Sequence, residues 1–235
     1  MSIAHNQLRV ARELWSRLQP LDRGVPARLQ GLLADRRFGS RDRRLYRELL
    51  FTALRHARVL AKIAPGDETT WATLLARACA ATRETEAFQA AFAATTTAES
   101  EVALPDFGPL DLVPDWFAAE VETSPAHPAA SEIAAALLTR APLWVRMQTD
   151  APEDAFAEWA ARGWVATPHP ALPDAYKLPS ETNLSACDTY QAGHYEIQDI
   201  GSQLILASLD LPARSPGPRW LDACAGAGGK ALQLA

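Results

Sequence analysis

Cysteine is scarce in this sequence of 235 residues: Cys79, Cys187 and Cys224 are the whole complement, and no two form a C-x-x-C pair. An odd number of widely spaced thiols excludes both a disulfide framework and a zinc knuckle as the organising device. They are read as reduced thiols, and no metal site is read from the chain. Long apolar runs are missing as well. No segment reaches roughly 18 uninterrupted apolar residues, and residues 1–10 lack the apolar stretch of a signal peptide. Neither membrane spanning nor secretion is indicated, so a cytoplasmic monomer is the expectation.

Hydrophobic residues make up 48% of the chain, enough for real cores. The formal net charge of −5 hides an asymmetry. Residues 1–62 hold 14 Lys/Arg against 5 Asp/Glu, leaving 9 against 23 for the remainder. A basic module joined to an acidic remainder points to a polyanion-binding region attached to something else. The plainer reading is a small helical domain whose arginines face water.

Periodicity makes the first part helical. Leu8, Ala11, Leu14, Trp15 and Leu18 share one face, and Val25, Leu29, Leu32 and Leu33 share another. After the start signal Gly39-Ser40, an apolar stripe runs through Leu45, Leu49, Leu50, Ala53, Leu54, Ala57 and Leu60, with arginines mostly on the other faces. Further helices are predicted around Trp71 to Ala80 and Thr85 to Ala94. Residues 98–140 read as a linker with short helices at Asp115 to Glu122 and Pro128 to Arg140, punctuated by proline. From Pro142 the pattern turns α/β. Strands are predicted at Leu143 to Thr149, Trp164 to Thr167, Tyr176 to Leu178 and Tyr195 to Gln198, with a helix from Pro152 to Arg162. A helix from Asp199 or Gly201 is predicted to turn Leu204, Ile205 and Leu209 inward.

The densest signal is Asp222-Ala-Cys224-Ala-Gly226-Ala-Gly228-Gly229-Lys230. Trp220 and Leu221 read as the end of a buried strand, Asp222 closes it, and Ala231, Leu232 and Leu234 restart a helical pattern. Strand, glycine turn and helix form a nucleotide-cofactor turn, whose amides at Gly228 and Gly229 face electron-rich ligand atoms. Upstream, Gln198-Asp199-Ile-Gly-Ser202-Gln203 is a second sharp segment. Individually, Asp199 and Ser202 read as helix caps and Gln198 and Gln203 as structural hydrogen-bonders that pack neighbouring elements together. His194 reads as a turn residue.

The glycine motif resembles the D-x-C-A-A-P-G-G-K-T cofactor motif of RNA (cytosine-5) methyltransferases of the RsmB/Sun type. Gly226, Ala227 and Ala231 stand where that motif has Ala, Pro and Thr. The Q-D-x-x-S-Q segment resembles one that precedes the motif in the same family. Ser40 to Arg55 resembles the family's helical NusB-like RNA-binding domain, and Pro142 to Thr149 with His169-Pro and Leu172 to Ala175 resembles its small RNA-recognition-like subdomain, where Arg146 and His169 read as exposed.

The resemblance implies an α plus α/β fold in order: an all-α NusB-like bundle over residues 1–97, the linker to 140, a small RNA-recognition-like subdomain over 141–195, and the truncated start of a class I, Rossmann-like methyltransferase domain over 196–235. It implies S-adenosylmethionine as cofactor, held by Cys224, Ala225, Gly226, Ala227, Gly228, Gly229 and Lys230, and RNA, most plausibly ribosomal, as substrate. Methylation at cytosine C5 needs a thiolate to add at C6 first. The family's attacking and releasing cysteines lie in later P-C and T-C motifs that this sequence does not contain. No catalytic residue is therefore assigned, and the chain is expected not to methylate RNA alone. Two other classes stay open: a non-catalytic RNA-binding protein acting through the basic helices, and a dinucleotide oxidoreductase, against which the missing third glycine weighs.

Overall fold

Helical periodicity becomes helix in the computed structural model, which describes residues 2–93, 96–97, 100–101, 104–122, 128–180, 182–209 and 221–234. The chain divides into two compact units, Met1–Thr139 and Arg140–Ala235.

In the first unit, α1 (Ile3–Leu18) starts where the Ser2 hydroxyl accepts the His5 amide at 3.4 Å. It buries Leu8, Ala11, Leu14 and Leu18, one face at helical spacing. Pro26 lies in the first turn of α2 (Val25–Leu33), where its missing N–H costs nothing. Helix α3 (Ser40–Arg55) buries Leu45, Tyr46, Leu49, Leu50 and Ala53. The single stripe predicted through Leu60 is interrupted at His56, whose backbone leaves the helical region (φ −103°, ψ 14°). The His56 Nδ1 sits 2.8 Å from the Thr52 carbonyl, and α4 (Ala57–Leu60) restarts with Val59 and Leu60 buried.

Asp67 caps α5 (Glu68–Ala78) by accepting the Thr70 amide at 3.0 Å, and α6 (Glu86–Phe92) adds Phe88 and Phe92 to the same core. A two-residue pair follows, β1 (Thr96–Thr97) antiparallel to β2 (Ser100–Glu101). Leu104, Phe107 and Leu112 then pack on the helical core ahead of α7 (Trp116–Glu122) and α8 (Ala130–Leu138). Asp115 pairs with Arg58, tying this stretch to the helices before it.

The second unit is a four-stranded antiparallel sheet with helices. Strand β3 (Leu143–Met147) is followed by α9 (Glu153–Ala161), the hairpin β4 (Thr167–His169) and β5 (Leu172–Leu178), α10 (Asp188–Gln191), and β6 (Tyr195–Ile197). Sheet order is β4-β5-β3-β6, with Val145 opposite Tyr176 on one side and Ile197 on the other. Val145, Met147, Trp159, Leu178, Cys187 and Tyr195 form its core. The strand predicted from Trp164 begins only at Thr167. Gly163 takes φ +71° and the Trp164 amide returns to the Trp159 carbonyl at 2.9 Å, so Trp164 belongs to the turn that ends α9. The last elements are α11 (Ile200–Ala207) and α12 (Gly229–Leu234).

Two sequence expectations fail here. Leu221 and Asp222 are not in a strand, and Leu221 is 90% exposed, because none of the described strands pairs with them; Trp220 lies outside the described residues. Leu204, Ile205 and Leu209 are exposed rather than inward, and the buried residue of α11 is Gln203. The mixture of helices with a small antiparallel sheet is α+β; no parallel sheet occurs among the described residues.

Candidate functional site

The site starts where β6 ends. The Gln198 amide donates to the Trp144 carbonyl at 3.2 Å, which fixes the backbone against β3. From there the buried Gln198 side chain reaches in two directions. Its Oε1 accepts from Arg146 Nε at 2.7 Å, while its Nε2 donates to the Gly229 carbonyl at 3.3 Å and to Gln233 Oε1 at 3.2 Å. Gln203, 2% exposed, donates from Nε2 to the Gln198 carbonyl at 2.8 Å. Gln233 closes the ring by donating to the Gln203 carbonyl at 3.1 Å. Three glutamines and one arginine thus bracket β3, α11 and α12 together. Buried amide groups demand such partners, and here each amide nitrogen has one.

This corrects one reading and upholds another. Arg146, expected on the surface, is 9% exposed and held by Gln198. Gln198 and Gln203 make the structural hydrogen bonds expected of them, and Asp199 caps α11 by accepting the Gly201 amide at 2.9 Å. Ser202 lies inside the first turn rather than at the cap. His194 is a turn residue, its amide donating to the Thr189 carbonyl and its carbonyl accepting from Gln148. His169 ends β4, its Nδ1 accepting the Ala171 amide at 3.2 Å and its ring lying edge-on to Trp144. Gln233 carried no mark in the sequence. Its role depends on a side chain 35 residues upstream, which no local pattern reveals.

Beyond the bracket lies the glycine loop. Asp222 Oδ1 accepts the Cys224 amide at 3.1 Å, the Gly228 amide donates to the Ala225 carbonyl at 2.8 Å, and the Leu232 amide donates to the Gly228 carbonyl at 2.8 Å. Gly226 at φ +56° and Gly228 at φ +91° occupy the left-handed region. A Cβ at either would meet nothing within 4 Å, so backbone conformation and not crowding calls for glycine. Residues 224–227 are exposed and 228–230 half-buried, so the seven candidate residues form one turn with a largely bare backbone. The second carboxylate oxygen of Asp222 is buried without a hydrogen-bond partner among the described residues, leaving an acceptor for a ligand donor. Such a turn fits a cofactor with polar edges.

Beside the bracket is a polar pocket of about 500 Å³ lined by Arg146, Asp150, Asp174, Gln203, Leu232 and Gln233 among others. Two of the three thiols lie away from the loop. Cys79 is buried in the helical core, and burial pushes it up to about 11. Burial also raises Cys187 in the sheet core. Neither is a ready thiolate at neutral pH. Cys224 is exposed in the loop.

A separate polar cluster supports the sheet unit. Glu158 on α9 accepts the amides of Asp188 and Thr189, each at 3.0 Å, the Thr189 hydroxyl at 2.5 Å, and Arg162 at 2.9 Å. Burial pushes its carboxyl up, but these donors outweigh it and hold the group at about 2.

In the helical unit, the basic surface divides into paired and unpaired arginines. Arg37 and Arg17 meet Glu13, Arg28 meets Asp22, and Arg44 meets Glu84. Arg41, Arg43 and Arg47 of α3 have no carboxylate partner among the described residues.

Over part of its length the chain is similar to proteins named ribosomal RNA small subunit methyltransferase B. Ribosomal RNA small subunit methyltransferase B of Xanthomonas campestris pv. campestris is 34% identical over 96 residues, 40% of this chain and 21% of its own length. The protein of that name from Xylella fastidiosa strain 9a5c is 32% identical over 123 residues, 52% of this chain and 28% of its own length. The RsmB/Sun-type resemblance carried by the motifs is thereby borne out, over less than a third of the relatives' length. No protein-family model matches the chain. The crystal structure of PH0851 covers 89% of this chain and 56% of its own, with a TM-score of 0.51 at 13% identity, a likeness of fold alone.

Proposed function

We propose that the chain is the front part of an S-adenosylmethionine-dependent RNA (cytosine-5) methyltransferase acting on ribosomal RNA. The observation that carries this reading is the glycine loop of residues 222–230, with its two left-handed glycines, held by Gln198 through Gly229. The names of the curated relatives support the ribosomal RNA substrate. When bound, S-adenosylmethionine supplies an electrophilic methyl group. The residues that would hold it are Cys224, Ala225, Gly226, Ala227, Gly228, Gly229 and Lys230, chiefly through backbone groups, with Asp222 Oδ2 as an acceptor at the turn. The bracket of Gln198, Gln203 and Gln233 keeps that turn in register with the small sheet.

On this reading the helical residues 1–97 bind RNA through their unpaired arginines, residues 141–195 flank the RNA path, and residues 196–235 open a class I methyltransferase domain. The exposed Leu204, Ile205 and Leu209 are side chains that a neighbouring layer of such a domain would cover. The buried Cys79 and Cys187 supply no nucleophile and the exposed Cys224 belongs to the cofactor turn on this reading, so the 235 residues by themselves are expected not to turn over RNA.

Equilibrium binding of radiolabelled S-adenosylmethionine and of NAD to the chain, together with salt-dependent RNA filter binding, tests the reading. S-adenosylmethionine binding that Gly228→Val abolishes supports it. Preference for NAD sinks it, and RNA binding with no binding of either cofactor transfers the function to the basic helices alone.

A further inference from the structure

The helical unit contains an apolar groove edged by Arg43 and Arg47, two of the arginines that the RNA reading counts as unpaired. It lies between α2 and α3, encloses about 640 Å³, and is walled by Val25, Leu29, Leu33, Phe51 and Leu54. Phe51 is 42% exposed at its edge, an unusual place for a large aromatic side chain on an otherwise well-packed helix. Arg43 and Arg47 line the same groove. Positions 43, 47 and 51 are spaced by four, so two guanidiniums and a phenyl ring form one row along α3.

The nearby carboxylates are engaged elsewhere. Asp35 meets Arg37 at 3.2 Å, Asp42 accepts the Gly39 amide, and Glu48 accepts the Ala80 amide at 3.1 Å. Helix α2 contains no acidic residue. The groove is thus apolar at its floor and cationic along one rim; Arg43 donates to the Asp35 backbone carbonyl at 3.5 Å, and neither Arg43 nor Arg47 meets a carboxylate among the described residues.

We infer that this groove is a docking site for an amphipathic helix of a partner protein, with large apolar side chains along one stripe and Asp or Glu beside them. A helix laid between two helices fills an apolar groove with side chains at i, i+3, i+4 and i+7. Its acidic flank meets Arg43 and Arg47, which charge complementarity requires. A nucleic acid strand suits the floor poorly, since leucine and valine offer nothing to ribose or phosphate. A second copy of this chain brings the same cationic rim and would set arginine against arginine. The inference is independent of the cofactor reading and concerns another face of the protein.

The test uses the full chain and fluorescence anisotropy with three labelled probes: a synthetic helix with leucines at helical spacing and flanking glutamates, the same peptide with lysines replacing the glutamates, and a short single-stranded RNA. The expected result is binding of the acidic peptide but not of the lysine peptide. The R43E/R47E variant then weakens binding at least about tenfold, because each reversal sets like charges together. Phe51→Ser weakens it too, with a retained cooperative melting transition as the check that the fold survives loss of this 42% exposed ring. Arg47→Glu alone supplies a second variant with no core involvement. Equal binding of both peptides, or of neither, overturns the inference. So does displacement of the acidic peptide by RNA whose own binding is weakened by Phe51→Ser, which assigns the groove to RNA, or dimerisation of the chain lost in that variant, which assigns it to a second copy.

Discussion

The two units bury different chemistry. In the helical unit the large fully buried side chains are apolar, among them Leu14, Leu18, Leu49, Leu50, Leu74, Leu75 and Phe88, and the buried polar residues, among the described residues, are the short threonines Thr52, Thr73 and Thr85. Around α11 the order reverses: Gln203 is buried while Leu204, Ile205 and Leu209 face out. A leucine core is non-directional, so any good filling of space suffices. A glutamine bracket is directional, and each amide holds a named partner at a fixed distance. The first device makes a stable platform. The second holds a loop in one place.

Four measurements would sharpen or break this contrast. The largest effect is expected in the leucine core: Leu49→Ala should cost about 2–5 kcal/mol, read from denaturant unfolding, because the cavity left at a closed site cannot collapse fully. A loss under about 1 kcal/mol would mean that the core is loosely packed.

Glu158 comes next. Its folded pKa lies near 2 against an ordinary value of 4.5, so its contribution is fully present above about 4.5 and is lost as pH falls toward 2. The shift corresponds to on the order of 3 kcal/mol for a side chain that is mostly shielded from water. Unfolding followed between those pH values should show the sheet unit weakening, and Glu158→Gln should flatten that dependence. A pH profile that Glu158→Gln leaves unchanged would remove the carboxylate from the account.

The glutamine bracket should be worth less but act more locally. Gln203→Ala leaves the Gln198 carbonyl without its side-chain donor and should cost about 1–3 kcal/mol. Hydrogen exchange should quicken in α11 and α12 while the helical unit keeps its protection. The paired control, Ile205→Ala, should stay within about 0.5 kcal/mol because its side chain is exposed. Equal effects from the two substitutions would erase the distinction drawn here.

The most local change is expected at Gly228. A Cβ there meets open space, so Gly228→Ala should cost only the left-handed backbone penalty of about 1–2 kcal/mol, confined to the turn. Circular dichroism should remain unchanged, with faster exchange limited to the loop.

Legibility followed the range of the interactions. Leu8, Ala11, Leu14 and Leu18 announced α1 because neighbours three and four apart share a helix face whatever else the chain does. The same rule overran at His56, where the helix breaks after an unbroken apolar pattern. It failed for α11, since periodicity locates an apolar stripe but does not say whether anything covers it. The expected strand at Leu221 failed for a related reason: a strand exists only with a partner to bond. Within the site, the glycines of the loop were readable because positive φ favours that residue type, whereas Arg146 and Gln233 were not, because their partners are distant in the chain.

By itself the sequence determined the helices of the first unit, the charge imbalance, the turn at Gly226 to Gly229 and the cap at Asp199, all consequences of local spacing and backbone preference. Tertiary structure alone decided that Gln203 would be buried and Leu204 exposed, that Arg146 would join Gln198, and that a groove between α2 and α3 would place Phe51 beside Arg43 and Arg47. Those outcomes depend on which surfaces meet, and contact between distant segments is set by the packing of the whole unit.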